Sequence, residues 1–318
     1  MRYATAVTLA LATPLAAAQS FPTKPIRILV PSTPGGSVDT LARAVGNHLS
    51  EKWGQQVVVD NRSGAGGTIA GELAARAPAD GYTLIMGTIA AIATNVSLTR
   101  TLPYSPMRDF APITQVAGQQ LILVVHPAVA AKSVAELTAL AKARPGHLTF
   151  ASAGNGSGGH LSGELYKILA GIDLTHVPYK GVAPALVDVI SGQVTMTFAS
   201  IISGTPHVKS GKVRALAVTG ARRSVTFPEL TTMAEAGVKG YESSTWYGLL
   251  APKATPRPII MKIHDEVVVM LKQPVVRDRL LAEGAEPVGS TPEQFGAFIQ
   301  SEIDKWGKVI RTAGLKAE

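Results

Sequence analysis

The amino-acid sequence predicts an α/β fold in two domains. With 318 residues, the chain is too long to fold around one small hydrophobic core, and its length fits two domains of ordinary size. Short β-branched runs alternate with stretches whose apolar residues recur at helical spacing, which favours largely parallel sheets flanked by helices. Apolar residues make up 46% of the chain and are dispersed in short runs, as in a well-packed globular protein. After the N-terminus, no run approaches the roughly 18 apolar residues of a membrane-spanning helix.

The first residues have the composition of an export signal. Positive charge at Arg2 precedes a mostly apolar stretch over residues 6–15, and three consecutive alanines end at Ala18. Because prolines follow at once, this stretch does not continue as a helix of the folded protein. We therefore expect residues 1–18 to be a signal peptide cleaved after Ala18, and the mature protein to be periplasmic.

Strands and helices alternate in two similar series. In the first series we predict strands over residues 26–30, 56–60 and 82–86, and helices over residues 38–49 and 69–77. In the second series we predict strands over residues 121–125, 148–152, 194–198 and 214–219, and helices over residues 134–141 and 161–169. A strand over residues 246–250 precedes helices over residues 260–271 and 295–310, the last of them capped by Thr291.

No flexible linker separates the two series, so we expect two crossing strands to form a hinge between the domains. We place the crossings at residues 119–125 and 245–250. Domain 1 then comprises residues 19–118 and 236–318, and domain 2 comprises residues 119–235.

Composition and missing motifs exclude several functions. The chain has no cysteine, which excludes disulfides, thiolate nucleophiles and cysteine-type zinc sites. The net charge of +8 favours anionic partners. Nucleic acid is not the expected partner, because Arg222-Arg223 is the only adjacent basic pair of the mature chain and aromatic residues are only 5%. The histidines show no metal-binding spacing and no phosphate-binding P-loop occurs, so we expect no metal and no cofactor.

Two strand-to-helix junctions carry the main functional signal. The first, over residues 31–37, reads Pro-Ser-Thr-Pro-Gly-Gly-Ser, and the second, over residues 152–160, reads Ser-Ala-Gly-Asn-Gly-Ser-Gly-Gly-His. At each junction, unpaired backbone N–H groups lie at the positive end of a helix dipole, and glycines let a ligand approach closely. A carboxylate or a phosphate is the complementary partner.

Either junction alone is also typical of a tight turn capped by serine. Two of them, one in each predicted domain and both at carboxyl ends of strands, favour a ligand site in a cleft between the domains. The glycine-rich residues 63–67 either line the cleft or turn the chain, and we favour the turn. We expect His160 to pack or cap locally rather than act as a base. Trp246 and Tyr247 suit either a cleft wall or a core.

Seven segments, in this order, resemble the receptors of the tripartite tricarboxylate transporter family, also called the Bug family of periplasmic solute-binding proteins. They are FPTKPIR at 21–27, PGGSVD at 34–39, VDNRSGAGG at 59–67, DGYTL at 80–84, ASAGNGS at 151–157, HVPYKG at 176–181 and WYGLLAP at 246–252. The resemblance spans nearly the whole mature sequence. It implies a two-domain flytrap fold of the periplasmic-binding-protein type II class, with a ligand carboxylate held between the two loops, partly through ordered waters.

By position, the resemblance assigns ligand binding to ten residues. Those of the first loop are Ser32, Thr33, Gly35 and Gly36, those of the second loop are Ser152, Asn155, Gly156 and Ser157, and the cleft is lined by Thr88 and Tyr179.

This chain departs from the family pattern in two places. The family commonly has aromatic and proline residues where this chain has Ser32 and Thr33, which predicts a roomier and more polar entrance. The family also tends to carry an aspartate after the phenylalanine that corresponds to Phe198, where this chain has Ala199 and Ser200. Without that acidic group the cleft lacks a partner for an ammonium group. We therefore expect a di- or tricarboxylate or an aromatic carboxylate rather than an amino acid.

The predicted function is that of a monomeric solute-binding receptor that performs no catalysis. It would deliver a small carboxylate to the membrane permease subunits of a tripartite tricarboxylate transporter. A periplasmic sensor that reports to a membrane signalling protein would use the same cleft, so the sequence leaves that alternative open. An α/β enzyme is a third alternative, although the sequence offers no recognisable pair of nucleophile and base.

Overall fold

The computed structural model describes residues 21–282, 284–312 and 314–315. The predicted signal peptide, residues 1–18, lies outside these residues. Within them, no helix is both long enough and apolar enough to cross a bilayer.

The first part of the chain forms three parallel strands with helices between them. Its elements are β1 (Ile26–Val30), α1 (Ser37–Trp53), β2 (Val57–Asn61), α2 (Thr68–Ala75) and β3 (Thr83–Thr88). Helix α1 forms where apolar residues recur at helical spacing, and this face is buried. Its buried apolar residues are Val38, Leu41, Ala42, Val45 and Leu49. Gly54 ends the helix in the left-handed conformation, with φ at 64°.

The remaining elements follow in chain order. A π-helical turn (Ala90–Thr94), α3 (Asn95–Leu98) and α4 (Pro106–Asp109) lead into β4 (Phe110–Val125). The middle of the chain contains α5 (Val134–Ala143), β5 (Thr149–Ser152), α6 (Gly158–Ala170), β6 (Thr175–Pro178), α7 (Val182–Ile190), β7 (Met196–Ser200), α8 (Ile201–Lys209) and β8 (Arg214–Val218). The last part contains β9 (Ser244–Pro252), α9 (Arg257–Lys272), α10 (Pro274–Ala282), β10 (Ala285–Pro287) and α11 (Pro292–Thr312).

The strands form two sheets that share β4. The order in the first sheet is β2-β1-β3-β9-β4, with β10 also paired to β4. The order in the second sheet is β4-β7-β5-β6, with β8 also paired to β4. Strands β1 to β3 pair in parallel, as do β5 to β7, whereas β4 and β9 pair antiparallel with their neighbours. The α/β fold class is confirmed, but the sheets are mixed rather than largely parallel because the long strands run against the others.

Strand β4 passes from the first sheet into the second. Its residues 110–120 pair with β9, and its residues 121–125 pair with β7. We call the elements around the first sheet (β1–β3, β9, β10, α1–α4 and α9–α11) the first lobe. The elements around the second sheet (β5–β8 and α5–α8) are the second lobe.

The chain returns to the first lobe just before β9, where the Ser243 N–H donates to the Thr219 carbonyl at 2.9 Å. Val238 and Tyr241, which fall in domain 1 by the predicted boundaries, pack in the core of the second lobe. The exact domain boundaries stay a prediction.

Parallel packing within each lobe directs helix N-termini toward the gap between the lobes. Strand β1 ends at Val30 and α1 begins at Ser37, while β5 ends at Ser152 and α6 begins at Gly158. Both junctions follow the carboxyl end of a strand, which is where open α/β sheets hold ligands.

Candidate functional site

A cavity of about 90 Å³ lies between the two lobes. An ordered water needs roughly 10–15 Å³ of such space, so the cavity has room for several waters or a small organic molecule. Its wall comprises Pro31, Ser32, Gly36, Ser37, Val38, Gly66, Thr88, Ile89, Ala90, Leu121, Ala153, Ser157, Gly158, Gly159, Val182, Phe198, Ser200, Thr245 and Tyr247. None of these wall residues carries a charged side chain, so within residues 21–282, 284–312 and 314–315 neither a carboxylate nor a cation lines the cavity.

Helices of both lobes begin at this wall. Ser37 and Val38 are the first residues of α1, and Gly158 and Gly159 are the first residues of α6. Ser200 caps the start of α8 by accepting a hydrogen bond from the Ser203 N–H. The first N–H groups of a helix have no partner within it and carry the positive end of the helix dipole. These helix starts therefore bring partial positive charge to the wall, which the buried Asp39 carboxylate in the first turn of α1 offsets in part.

Hydroxyl groups join the lobes inside the cavity. The Ser37 hydroxyl of the first lobe donates to the Ser200 hydroxyl of the second, which in turn donates to Ser203 at 2.9 Å. Tyr247 lies on the wall, and its hydroxyl donates to the Gln119 side chain at 3.3 Å. Burial raises the pKa of Tyr247 to about 12, so its phenol stays protonated at any physiological pH.

Four of the ten residues singled out in the sequence lie on the cavity wall: Ser32, Gly36, Thr88 and Ser157. Gly36 faces the other lobe closely, because a Cβ at this position would lie 3.3 Å from Val182. Ser157 caps α6, with its hydroxyl accepting the His160 backbone N–H at 3.3 Å. Their roles as ligand contacts stay a prediction.

The other residues of the first loop shape it without lining the cavity. The Gly35 N–H donates to the Asp39 carboxylate at 3.0 Å, and φ at Gly35 is 86°, a conformation that favours glycine. The Thr33 N–H donates across the cleft to the Lys180 carbonyl at 3.3 Å. Gly35 therefore sets the turn before α1, and Thr33 holds the two lobes together at the edge of the cavity.

Three residues of the second loop also make contacts away from the wall. The Gly156 carbonyl accepts a hydrogen bond from the Thr94 hydroxyl of the first lobe at 2.7 Å. The Asn155 carbonyl lies across from Gly66, where a Cβ would approach it to 2.9 Å. The Ser152 hydroxyl lies 2.6 Å from Nε2 of His176 and contacts both backbone polar groups of Gly154.

Tyr179 is half-buried and is not part of the cavity wall. Its hydroxyl donates to the Asp188 carboxylate of α7. The structure therefore gives Tyr179 a partner within its own lobe.

Several wall residues were not singled out as ligand contacts, above all Ser37, Ser200, Thr245 and Tyr247. Ser37 is the last residue of the first loop, Ser200 lies where the family tends to carry an aspartate, and Tyr247 was a candidate for the cleft wall. Nothing in the local sequence shows that Ser37 and Ser200, 163 positions apart, form a hydrogen bond. Only the packing of the two lobes brings them together.

The geometry gives no arrangement for nucleophilic catalysis at Ser157. Its hydroxyl contacts the backbone of His160, whereas Nδ1 of that imidazole accepts the Gly156 N–H at 3.0 Å. Among the described residues, no group of three acidic or histidine side chains could hold a metal ion. The polar groups of the cavity wall are backbone amides and hydroxyls.

Comparison with known sequences gives consistent matches over most of the chain. Residues 41–315 match the family described as "Tripartite tricarboxylate transporter family receptor". Protein BugT of Bordetella pertussis is 38% identical over 310 residues, which cover 97% of this chain and 95% of BugT. The UPF0065 protein in the tcbD-tcbE intergenic region of Pseudomonas sp. strain P51 is 39% identical, over 92% of this chain and 87% of its own length.

Solved structures give the same result. Rhodopseudomonas palustris Rpa4515 with adipate is 41% identical and superposes with a TM-score of 0.92, over 94% of this chain and all of that one. MatC (Rpa3494) from the same species with bound malate is 33% identical, with a TM-score of 0.87 over 91% of this chain and all of that one. This similarity confirms the periplasmic-binding-protein fold. Together with the sequence matches, it shows that the chain belongs to the receptors of the tripartite tricarboxylate transporter family.

Proposed function

We propose that the protein captures a small organic carboxylate in the cavity between its lobes and performs no chemistry on it. It does so in the periplasm, after removal of residues 1–18, and as a monomer delivers the solute to the membrane permease subunits of a tripartite tricarboxylate transporter. The observation that carries the proposal is the opening of two helix N-termini, those of α1 and α6, into one uncharged cavity.

The wall complements an anion with an apolar body. Backbone N–H groups and the hydroxyls of Thr88 and Ser157, which accept backbone hydrogen bonds and keep their own protons to donate, are donors for a carboxylate. Apolar side chains such as Val38, Ile89, Leu121 and Val182 supply contacts for a carbon skeleton, and ordered waters fill the remaining polar gaps.

The wall offers poor recognition of an ammonium group. Such a group needs a carboxylate or several acceptors, and the wall contains no acidic side chain. A zwitterionic amino acid would therefore lose hydration without a compensating partner. The structural relatives with adipate and malate hold carboxylic acids without an amine, which supports the same class of ligand here.

Ligand capture works through closure of the lobes. The contacts between Thr33 and Lys180, and between Thr94 and Gly156, join the lobes directly and exist only while the cleft is closed. A carboxylate that contacts both helix N-termini at once stabilises this closed form and shifts the population toward it. Of the predicted site residues, Ser32, Gly36, Thr88 and Ser157 contact the ligand or its waters, and the others hold the loops.

The test is a ligand screen with the mature protein, residues 19–318. Thermal unfolding is recorded with adipate, malate, succinate, citrate and benzoate, with L-glutamate and hexylamine as controls, and hits are measured by calorimetry. At a hundredfold excess over its Kd, a carboxylate adds about 2.7 kcal/mol and raises the unfolding midpoint of a protein of this length by about 4 °C. Stabilisation by glutamate or hexylamine alone, or by no compound, would refute the proposal. Recovery of the bound acid unchanged, by NMR, checks that no reaction occurs.

A further inference from the structure

A stack of three aromatic rings supports the second loop from beneath. The rings belong to Phe150 of β5, His176 of β6 and His160 of α6. The centroids of the two imidazoles lie 4.1 Å apart, at an angle of 19° between their planes, and the His176 ring lies 4.8 Å from the Phe150 ring. His160 is only 5% exposed. The buried imidazole of His160 and the half-buried imidazole of His176 have no role in the receptor function described so far.

His160 holds one particular amide of the loop. Its Nδ1 accepts the Gly156 N–H at 3.0 Å, so Nδ1 carries no proton and the ring proton is on Nε2. Nε2 lies 3.9 Å from the Glu164 carboxylate, which also pairs with Lys167 at 3.0 Å. The Gly156 carbonyl accepts a hydrogen bond from Thr94, so with His160 as acceptor both backbone polar groups of Gly156 have partners. The donors left for the cavity are those that follow, at the start of α6.

His176 holds the turn before it. Its Nε2 lies 2.6 Å from the Ser152 hydroxyl, which also lies 3.1 Å from the Gly154 N–H nitrogen and 3.1 Å from the Gly154 carbonyl oxygen. A hydroxyl donates once and accepts twice. All three contacts are satisfied when His176 donates from Nε2, Ser152 accepts from His176 and from Gly154, and the serine proton goes to the Gly154 carbonyl.

We propose that His160 and His176 are positioning residues for ligand binding, acting through the second loop. His160 acts through Nδ1 on Gly156, and His176 acts through Nε2 on Ser152, so that the first amides of α6 point into the cavity. Burial, together with the nearby Lys167 charge, lowers the pKa of both imidazoles, which keeps the rings neutral as these hydrogen bonds require. This inference rests on the proposed function of the cavity.

His160 acts through Nδ1 and His176 acts through Nε2, so a different amide side chain should replace each histidine. Asparagine places a polar atom where the Nδ1 of histidine lies, and glutamine places one where Nε2 lies. We expect His160→Asn and His176→Gln to bind adipate, or the best acid of the panel above, within about threefold of wild type. We expect the exchanged variants, His160→Gln and His176→Asn, to bind it at least tenfold more weakly, a loss of about 1.4 kcal/mol.

Two further readouts separate positioning from general stability. The unfolding midpoint of each variant shows whether it folds, and hydrogen exchange of the Gly156 amide shows whether its acceptor is in place. Slow exchange in wild type and His160→Asn, with fast exchange in His160→Gln, supports the inference. If both substitutions at a position weaken binding equally, or neither does, the inference is wrong. If wild type binds no acid of the panel, the proposed function itself fails, while the exchange measurement still tests the role of His160.

Discussion

Gly156→Ala is the most informative single substitution for closure of the cleft. Gly156 lies in the second lobe with φ at 73°, and a Cβ added there would overlap the Thr94 hydroxyl of the first lobe and lie 3.0 Å from Leu98 Cδ1. The added methyl therefore does two things: it strains the backbone, and it forces apart two groups that meet only across the cleft.

The two costs can be separated by a matched control. An alanine in the left-handed conformation costs about 1–2 kcal/mol wherever it occurs. Gly240 has nearly the same φ, 75°, but a Cβ there meets nothing within 4 Å, so Gly240→Ala carries only this strain. Gly156→Ala adds the loss of the Thr94 hydrogen bond and leaves a buried hydroxyl unpaired, about 1–3 kcal/mol. That second cost applies to the closed form alone, so it weakens binding by about fivefold to a hundredfold.

The assay compares both variants in thermal unfolding and in calorimetric titration with the best acid of the panel. We expect similar losses of unfolding midpoint, and weak binding only in Gly156→Ala. Equal affinities of the two variants would refute the idea that this contact across the cleft stabilises the liganded form.

Three further outcomes are expected. Ser200→Asp should weaken carboxylate binding at least tenfold in titration while Ser200→Asn binds normally, since a negative charge would face an anion although aspartate remains a good helix cap. Burial lowers the pKa of His160 to about 4 and of His176 to about 3, so between pH 6.5 and 4 protons bind mainly to the unfolded chain. The free energy of unfolding in urea should therefore decrease as the pH is lowered from 6.5 to 4. A flat profile would contradict the burial of neutral imidazoles. Glu302→Ala should cost about 2–5 kcal/mol in the same assay, because it leaves two buried indole N–H groups without their acceptor, whereas Glu302→Gln should cost far less.

The sequence predicted most elements because their patterns are local. Strand β1 falls at its predicted residues, since a short β-branched run with turn residues on both sides has one simple interpretation. Strand β4 was predicted only over residues 121–125, whereas it begins at Phe110. Pro112 and Gly118 interrupt the earlier part of its pattern, and proline is normally excluded from a strand interior. The structure places Pro112 where the register shifts, a bulge that no sequence pattern announces.

The site could be predicted only in outline for a similar reason. A glycine-rich loop between a strand and a helix shows where a cavity wall will lie, because that signal is contained in ten residues. Which groups of the loop face the cavity depends on distant partners. Gly156 faces away because His160 and Thr94 take its N–H and carbonyl, and Ser37 matters because Ser200 reaches it from the other lobe.

The sharing of β4 between both sheets constrains how this receptor can change over evolutionary time. Side chains of a strand alternate between its two faces, so deleting one residue near its middle would turn every later side chain to the opposite face. Both faces of β4 are buried in the second lobe, so such a deletion would exchange Leu123 and Val125 of one core with Ile122 and Val124 of the other and misfit both, while leaving the first lobe correctly paired. Loops around the cavity can therefore lengthen or shorten as ligands change, but the length of this one strand is fixed by both halves of the molecule at once.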